Sequence, residues 1–586
     1  MKKLYIIFIF LAAVVLCACN KTIPETVTPA PVPGKAENQP SKGKLSSIPE
    51  EEDIDFWSDY PAETLSKALA DRMTNEELLA QILMFGWSGT VPGQEVKSWV
   101  IDRKLGSIKI FGWNTDNTYA LAENIKFFQE ETQKTKFKIP LFVATDQEGG
   151  WIRHVKGRTT ETPGNLAIGA TGLPYDAYYS GYYIGMELRA LGINMNFAPT
   201  VDLYTDLHST VIGPRSFGEN PREAGLLGLA FAQGQLKAGV IPTAKHYPGH
   251  GDTNIDSHGI LPVIDADMET LRNRELVPFR ILSENKIPAI MTGHLAFPKV
   301  TDGKEIPASL SSKFIKTILE DELNFDGLVI TDDMMMNGAI ATTGSLSESF
   351  IEAIKAGNHI ILSSTTPLLQ DRFWTKSLNL MESDGDFFST VKNAAIKVLE
   401  TKLTYLKGEN AVPLYPDISS LDEKVPAQGA EDFFLEQAAR ATTLVKSGNI
   451  NLNSGKKILI AGGYRAFLSE GTKRFPQAET CYLSQSNSIR ENQRILSNAA
   501  ADSEIVIYCV HSYNSGKTAE ILKNTGKELI LVSSLAPVFI ENLLWAEEIY
   551  AVYSYSPSSY RALFAALSGD FIPEGKMPLK ALRQEN

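Results

Sequence analysis

Eight short apolar runs, most of them far enough apart to hold a helix between, constrain this chain more than any other feature. They fall at residues 82–85, 107–111, 141–144, 194–198, 241–244, 289–292, 328–331 and 359–363. Helical periodicity fills several of the gaps, at 119–134, 175–191, 221–238, 268–284 and 309–322. Short apolar runs bounded by turn residues read as buried strands. Parallel neighbours of that kind need a long crossover, which a helix supplies. Strand–helix alternation repeated eight times predicts an α/β chain whose main body is a (β/α)8 TIM-type barrel. Before the first strand, Thr74 with Glu77 three residues on reads as a capping box opening a helix.

In such a barrel, chemistry sits where strands end. The third run ends in Asp146-Gln147-Glu148-Gly149-Gly150, and the fourth leads to Asp202 and then to Gly213-Pro214-Arg215-Ser216-Phe217-Gly218. The sixth ends in Gly293-His294 and the seventh in Thr331-Asp332-Asp333. After the fifth comes Ala244-Lys245-His246-Tyr247-Pro248-Gly249-His250-Gly251-Asp252-Thr253-Asn254-Ile255-Asp256-Ser257-His258, with three His, two Asp and a Lys. Its Pro and Gly residues break regular structure, so the stretch reads as a strand that ends and spills a polar loop. Asp256 and His258 are two apart, and in extended chain such residues point the same way. A carboxylate against an imidazole raises its pKa from about 6.5, which poises a proton donor near neutrality. Asp332 closes a buried strand almost directly and suits a nucleophile, a base or a cation stabiliser. Read without that chemistry, Asp332-Asp333 is a helix N-cap pair and the polar loop simply caps its turns. The loop's His and Asp residues are also metal-ligand types. No helical His-x-x-x-His spacing and no nearby cysteine accompany them, so neither a metal nor a cofactor is expected.

The 586 residues hold more than one domain. Met1-Lys2-Lys3 is a basic n-region, residues 4–16 are apolar, and Leu16-Cys17-Ala18-Cys19 follows. That pattern looks like a lipoprotein signal of residues 1–18, cleaved before Cys19, whose acylated thiol would tether the chain to a membrane outside the cytoplasm. The apolar run is too short to span a bilayer. Residues 19–55, rich in Pro, Thr, Lys and Glu, read as a disordered spacer. The barrel is expected over 56–405, a Pro- and Gly-marked linker over 406–432, and a smaller α/β sandwich over 433–586. Four strands are predicted in that second domain, at 457–461, 504–510, 528–533 and 547–553. Gly462-Gly463 after its first strand lacks the glycine spacing of a dinucleotide fingerprint. Cys481 and Cys509 are either bonded or two buried thiols. A net charge of −13 argues against a nucleic-acid partner.

The loop from Lys245 to Gly251 with Asp256-Ser257-His258, together with the Asp146, Arg215 and Asp332 motifs, resembles the β-N-acetylglucosaminidase branch of glycoside hydrolase family 3. Pro573-Glu574-Gly575-Lys576-Met577-Pro578 looks like that family's closing motif. The likeness covers roughly residues 61–582. It implies a retaining exo-hydrolase with Asp332 as nucleophile and His258, assisted by Asp256, as acid/base. It implies sugar contacts from Asp146, Arg215, Lys245 and His246, with peptidoglycan fragments or chitin-type oligosaccharides as substrates. Trp151-Ile152-Arg153 departs from the family's usual pattern by one position, so Arg153 is left out; Trp151 is a candidate ring platform. Met334-Met335-Met336 reads as core filling. Three rival readings stay open: a phosphorylase, a β-glucosidase of the same family, and a binding lipoprotein with an inactive barrel.

Overall fold

A computed structural model describes residues 48–583 except 210, 254, 258, 369 and 370. The leader, Cys19, most of the spacer and His258 therefore lie outside the described residues.

The barrel forms as expected from the eight runs. Its strands are β1 (Leu83–Phe85), β2 (Ser107–Ile110), β3 (Phe142–Thr145), β6 (Met195–Asn196), β7 (Ile241–Tyr247), β8 (Ala289–Thr292), β9 (Leu328–Thr331) and β10 (Ile361–Ser363). They are joined in parallel in the order β10-β1-β2-β3-β6-β7-β8-β9. A parallel bridge between Ile330 and Ile360 links the two ends of that order. Between β3 and β6 lies a small antiparallel hairpin, β4 (Gln147–Gly149) with β5 (Ile152–Arg153). Its turn needs Gly149 and Gly150 at φ of +93° and +59°, where a side chain would be strained. The helix Asn75–Gln81 opens with the capping box, Thr74 Oγ1 accepting from the Glu77 N–H at 3.2 Å.

β7 is longer than the sequence implied. Lys245 to Tyr247 belong to the strand rather than to the loop, because the ladder continues there: the Lys245 N–H donates to Pro199 O at 3.1 Å and Lys245 O accepts from Val201 at 2.9 Å. Ordered packing also begins inside the stretch read as spacer, since Ile48 and Ile54 are buried.

The second sheet has six strands, not four. In spatial order they are β13 (Glu479–Tyr482), β12 (Ile458–Gly462), β14 (Ile505–Val510), β15 (Glu528–Ser533), β16 (Glu548–Ala551) and β11 (Thr443–Lys446). All pairs are parallel except the β11 edge. The two unforeseen strands lie at the sheet's margins and carry exposed, polar residues such as Glu479 and Thr480, so they lack an apolar run. Cys481 and Cys509 are free thiols, both buried.

This sheet packs onto the barrel through one shared core. Leu166, Ala167, Ala170 and Tyr204 of the barrel cluster with Leu483, Tyr553, Met577 and Leu579. The Pro573 to Pro578 segment clamps the join. Lys576 N donates to Ala170 O at 2.9 Å, and Pro578 lies against Gly218, just past Arg215. Asp176, fully buried in a barrel helix, is held by Arg440 of the helix Ala430–Ala441 at 2.6 Å. Replacing Arg440 with Ala leaves a buried carboxylate without its cation, and should cost about 3 kcal/mol. Denaturant unfolding of the variant checks this; unchanged stability would mean that the pair does not hold the domains together.

Candidate active site

Charged side chains from three strands and their loops meet at one end of the barrel. Lys109 on β2 is 99% buried, which no lysine tolerates without a partner. Its Nζ donates to Asp146 Oδ2 at 2.5 Å. The other Asp146 oxygen takes the ammonium of Lys245, from β7. Lys245 also reaches Glu148 at 2.6 Å, and Arg215 grips Glu148 with two bonds of 2.7 and 2.9 Å. The result is a continuous chain, Lys109–Asp146–Lys245–Glu148–Arg215. Arg215 Nη2 then lies 3.3 Å from His246 Nε2, and His246 Nδ1 faces Asp202 at 2.6 Å. Asp202 also accepts from the His246 and His250 backbone N–H groups at 3.1 and 2.7 Å. One buried carboxylate thus sets both an imidazole and the start of the loop.

Burial pushes each carboxyl up, and the surrounding cations outweigh it. Glu148 is drawn down to about 2 by Arg215 and Lys245. Asp146 is held well below the usual carboxylate range by Lys109 and Lys245. Burial lowers Lys109, and Asp146 offsets only part of that; Lys245, with two carboxylates, ends above its ordinary value. His154, 3.6 Å from Asp146, is pressed down to about 4 by burial and by Lys109.

Asp332 follows β9 directly. Burial raises its pKa, but His246, His294 and the Asp333 N–H (2.8 Å to Oδ1) bring it below the ordinary carboxylate value. His246 and Lys245 are thus its electrostatic neighbours, so Asp332 borders the charge chain. Asp333 instead accepts from the backbone of Met335 and Ser364, at 3.0 and 2.9 Å. The two do not cap a helix: the next one, Asn337–Ile340, begins after an N-cap at Met336. Met334 and Met336 are buried, while Met335 is exposed.

The loop beyond β7 is pinned at its start and at its tip. Gly251 abuts Leu203 so closely that a Cβ would fall 1.7 Å from its carbonyl oxygen. Further on, Ser257 O accepts from Gly338 N at 3.1 Å, and Gly259 O accepts from Asn337 Nδ2 at 3.2 Å. Asn337 and Gly338 follow Asp332 by a few residues, so the segments flanking position 258 touch the loop that carries Asp332. Asp256 is exposed within this loop.

Asp146, Arg215, Lys245 and His246 are therefore brought together, with Asp332 beside them, and His258 lies outside the described residues. Sequence reasoning missed Lys109, Glu148, His154 and the anchoring role of Asp202. Lys109 had a signal: a lone lysine inside Ser107-Ile108-Lys109-Ile110-Phe111. Arg153 is spent on its own loop, at Thr159 O (2.7 Å) and Glu161 (2.9 Å). Trp151 is about one-third exposed. Among the described residues, no His, Cys, Asp and Glu cluster is arranged to hold a metal.

Residues 74–400 match the model of the glycosyl hydrolase family 3 N-terminal domain. The chain belongs to glycosyl hydrolase family 3. A β-hexosaminidase A of Pseudoalteromonas piscicida is 36% identical over 272 residues, 44% of this chain; the chain spans only 45% of that relative's length. A β-hexosaminidase of Methylococcus capsulatus is 35% identical over 231 residues, covering 39% of this chain and 67% of its own. Among solved structures, a family 3 β-N-acetylglucosaminidase from Paenibacillus superposes with a TM-score of 0.77 at 27% identity, covering 88% of this chain and all of its own. The barrel is thus the N-terminal domain of a glycosidase family, and both domains are shared with that structure.

The Glu148 pairing has a pH signature. Its carboxyl titrates lower in the folded protein, at about 2, than its ordinary 4.5. The stability it contributes is therefore complete above pH 4.5 and is lost as pH falls toward 2. Glu148→Gln should flatten the fall in melting temperature across that window and lower stability at neutral pH. Parallel melting curves for the two proteins below pH 4.5 would contradict the assignment.

Proposed function

We propose that this protein is a retaining, exo-acting hydrolase that releases terminal β-linked N-acetylglucosamine from peptidoglycan fragments or chitin-type oligosaccharides. The observation that supports the reading is the contact of Ser257 with Gly338 and of Gly259 with Asn337, which sets the segments on either side of position 258 against the short helix that follows Asp332. The β-N-acetylglucosaminidase and β-hexosaminidases among its relatives support the choice of sugar.

In the first step Asp332 attacks the anomeric carbon while His258 gives its proton to the leaving oxygen, so the aglycone departs neutral and a glycosyl ester forms. Asp256 orients the imidazole and stabilises it while charged. In the second step neutral His258 takes a proton from water, the hydroxyl adds to the same carbon, and the Asp332 carboxylate leaves. The depressed Asp332 pKa keeps that oxygen ionised, as a nucleophile requires. Asp146, Lys245, Arg215 and His246 hold the sugar hydroxyls, their partners already fixed by the charge chain. Retention is inferred from the family resemblance alone, because separation of two carboxylates does not apply to an imidazole acid.

Asp332→Asn should abolish turnover of an aryl β-N-acetylglucosaminide while leaving the melting temperature nearly unchanged; full activity would end the proposal. His258→Ala should slow substrates with poor leaving groups far more than a dinitrophenyl glycoside, by roughly 10²–10⁴-fold. An equal loss on both would remove His258 as the acid. Released sugar 1-phosphate in phosphate buffer would shift the reading to a phosphorylase.

The site of action is proposed from the leader alone: a lipid-anchored protein outside the cytoplasm, tethered through Cys19. Cys19→Ala should move the protein from the membrane fraction to the soluble fraction. No helix among the described residues is long and apolar enough to cross a membrane. Retention of the variant on membranes would mean that something other than the acyl chain binds it.

A further inference from the structure

The second domain carries a crevice of its own. From β12 the chain moves outward to β13, then crosses back to β14 on the other side of β12. Such a reversal opens a gap beyond the carboxyl ends of the two strands, the usual place for a ligand in a parallel sheet. Here the gap is a cavity of about 220 Å³, lined by Gly463 after β12, by Ser484 and Asn487 after β13, and by His511, Ser512 and Asn514 after β14. Its volume equals that of roughly seven waters at ~30 Å³ each, room for one sugar ring. Every lining residue lies between 463 and 518, so none belongs to the barrel.

The lining excludes the ligands this topology most often takes. Among the described residues it holds no Lys, Arg, Asp or Glu. A nucleotide phosphate would have no cation to meet, and the glycine-rich turn is missing after β12. What remains are amides, hydroxyls and one imidazole. They are fixed in advance: Asn492 Nδ2 donates to Ser484 O at 2.9 Å, and Asn487 Nδ2 donates to Asn492 Oδ1 at 3.1 Å. His511 N and Ser512 N both donate to Ser515 Oγ at 2.9 Å. The His511 ring is 91% buried beside Tyr464 and forms part of the crevice wall. Burial also holds this imidazole below its ordinary pKa, so it meets a ligand uncharged.

We propose that this crevice is a second binding site, separate from the barrel, for a single uncharged pyranose such as N-acetylglucosamine. Neutral donors and acceptors in fixed positions match a ring of neutral hydroxyls. The site would hold one sugar of a glycan, or a released product, on the domain next to the barrel.

Titration calorimetry of the protein with N-acetylglucosamine, and in parallel with uridine monophosphate, tests this. Ser484→Trp fills the crevice; Asn487→Ala removes one amide without adding bulk, and serves if the first variant does not fold. Arg215→Ala weakens the barrel site. One sugar equivalent should survive Arg215→Ala, vanish in Ser484→Trp, and weaken about tenfold in Asn487→Ala, the loss of one hydrogen bond. Uridine monophosphate should not compete. The proposal is overturned if no sugar binds in Arg215→Ala, if both crevice variants bind as the parent does, or if the nucleotide takes the site. A parent protein that binds one equivalent only, unaffected by Arg215→Ala and lost in Ser484→Trp, would count against the hydrolase reading and leave this one standing.

Discussion

Mutual neutralisation of charges that water scarcely reaches is the constraint on which this structure depends. Lys109, Lys245 and Arg215 are inside the protein, and each would be costly alone. They are tolerated because Asp146 and Glu148 stand between them in alternation. The arrangement requires β2, β3, β7 and the loop after β6 to converge on one end of the barrel. It also fixes the direction of Asp146, Lys245 and Arg215, the groups proposed to hold the sugar, so on that proposal little order remains to be imposed on binding. Asp332 gains from the same field: nearby imidazoles and Lys245 outweigh the burial that would otherwise protonate it.

Asp202 extends this logic to the loop. Itself buried, it fixes the His246 ring and the backbone of His250 together. Loop position is thus set from a buried carboxylate at its root, and by contacts with residues 337–338 at its tip. The second domain adds support from outside, pressing its closing segment onto Gly218 and the helix Asn165–Thr171. Arg215 therefore sits in a loop braced on both sides.

The barrel was legible because each strand is a bounded apolar run, and burial on both faces leaves no other way to write one. The strand β7 was read short because Lys245 and His246 are polar; only the carboxylates across the barrel make a lysine acceptable there, and those are a hundred residues away. Lys109 was passed over for the same reason in reverse, a charge hidden in an apolar run. The charge chain could not be ordered from sequence, since its links pair residues far apart in the chain. The margins of the second sheet escaped notice because an edge strand such as β13 buries only Cys481 of its four residues and so shows no apolar run. By contrast, the different settings of Asp332 and Asp333 were legible: one follows the strand, and the other turns back to cap its own loop.

The central claim is that Asp332 is the atom donor that bonds to the sugar. Incubation with a 5-fluoro-N-acetylglucosaminyl fluoride, followed by peptide mass spectrometry, tests it directly. The account predicts one sugar mass added to the peptide containing Asp332, and none in Asp332→Asn. A label on another carboxylate, or steady turnover that never labels the protein, would contradict it.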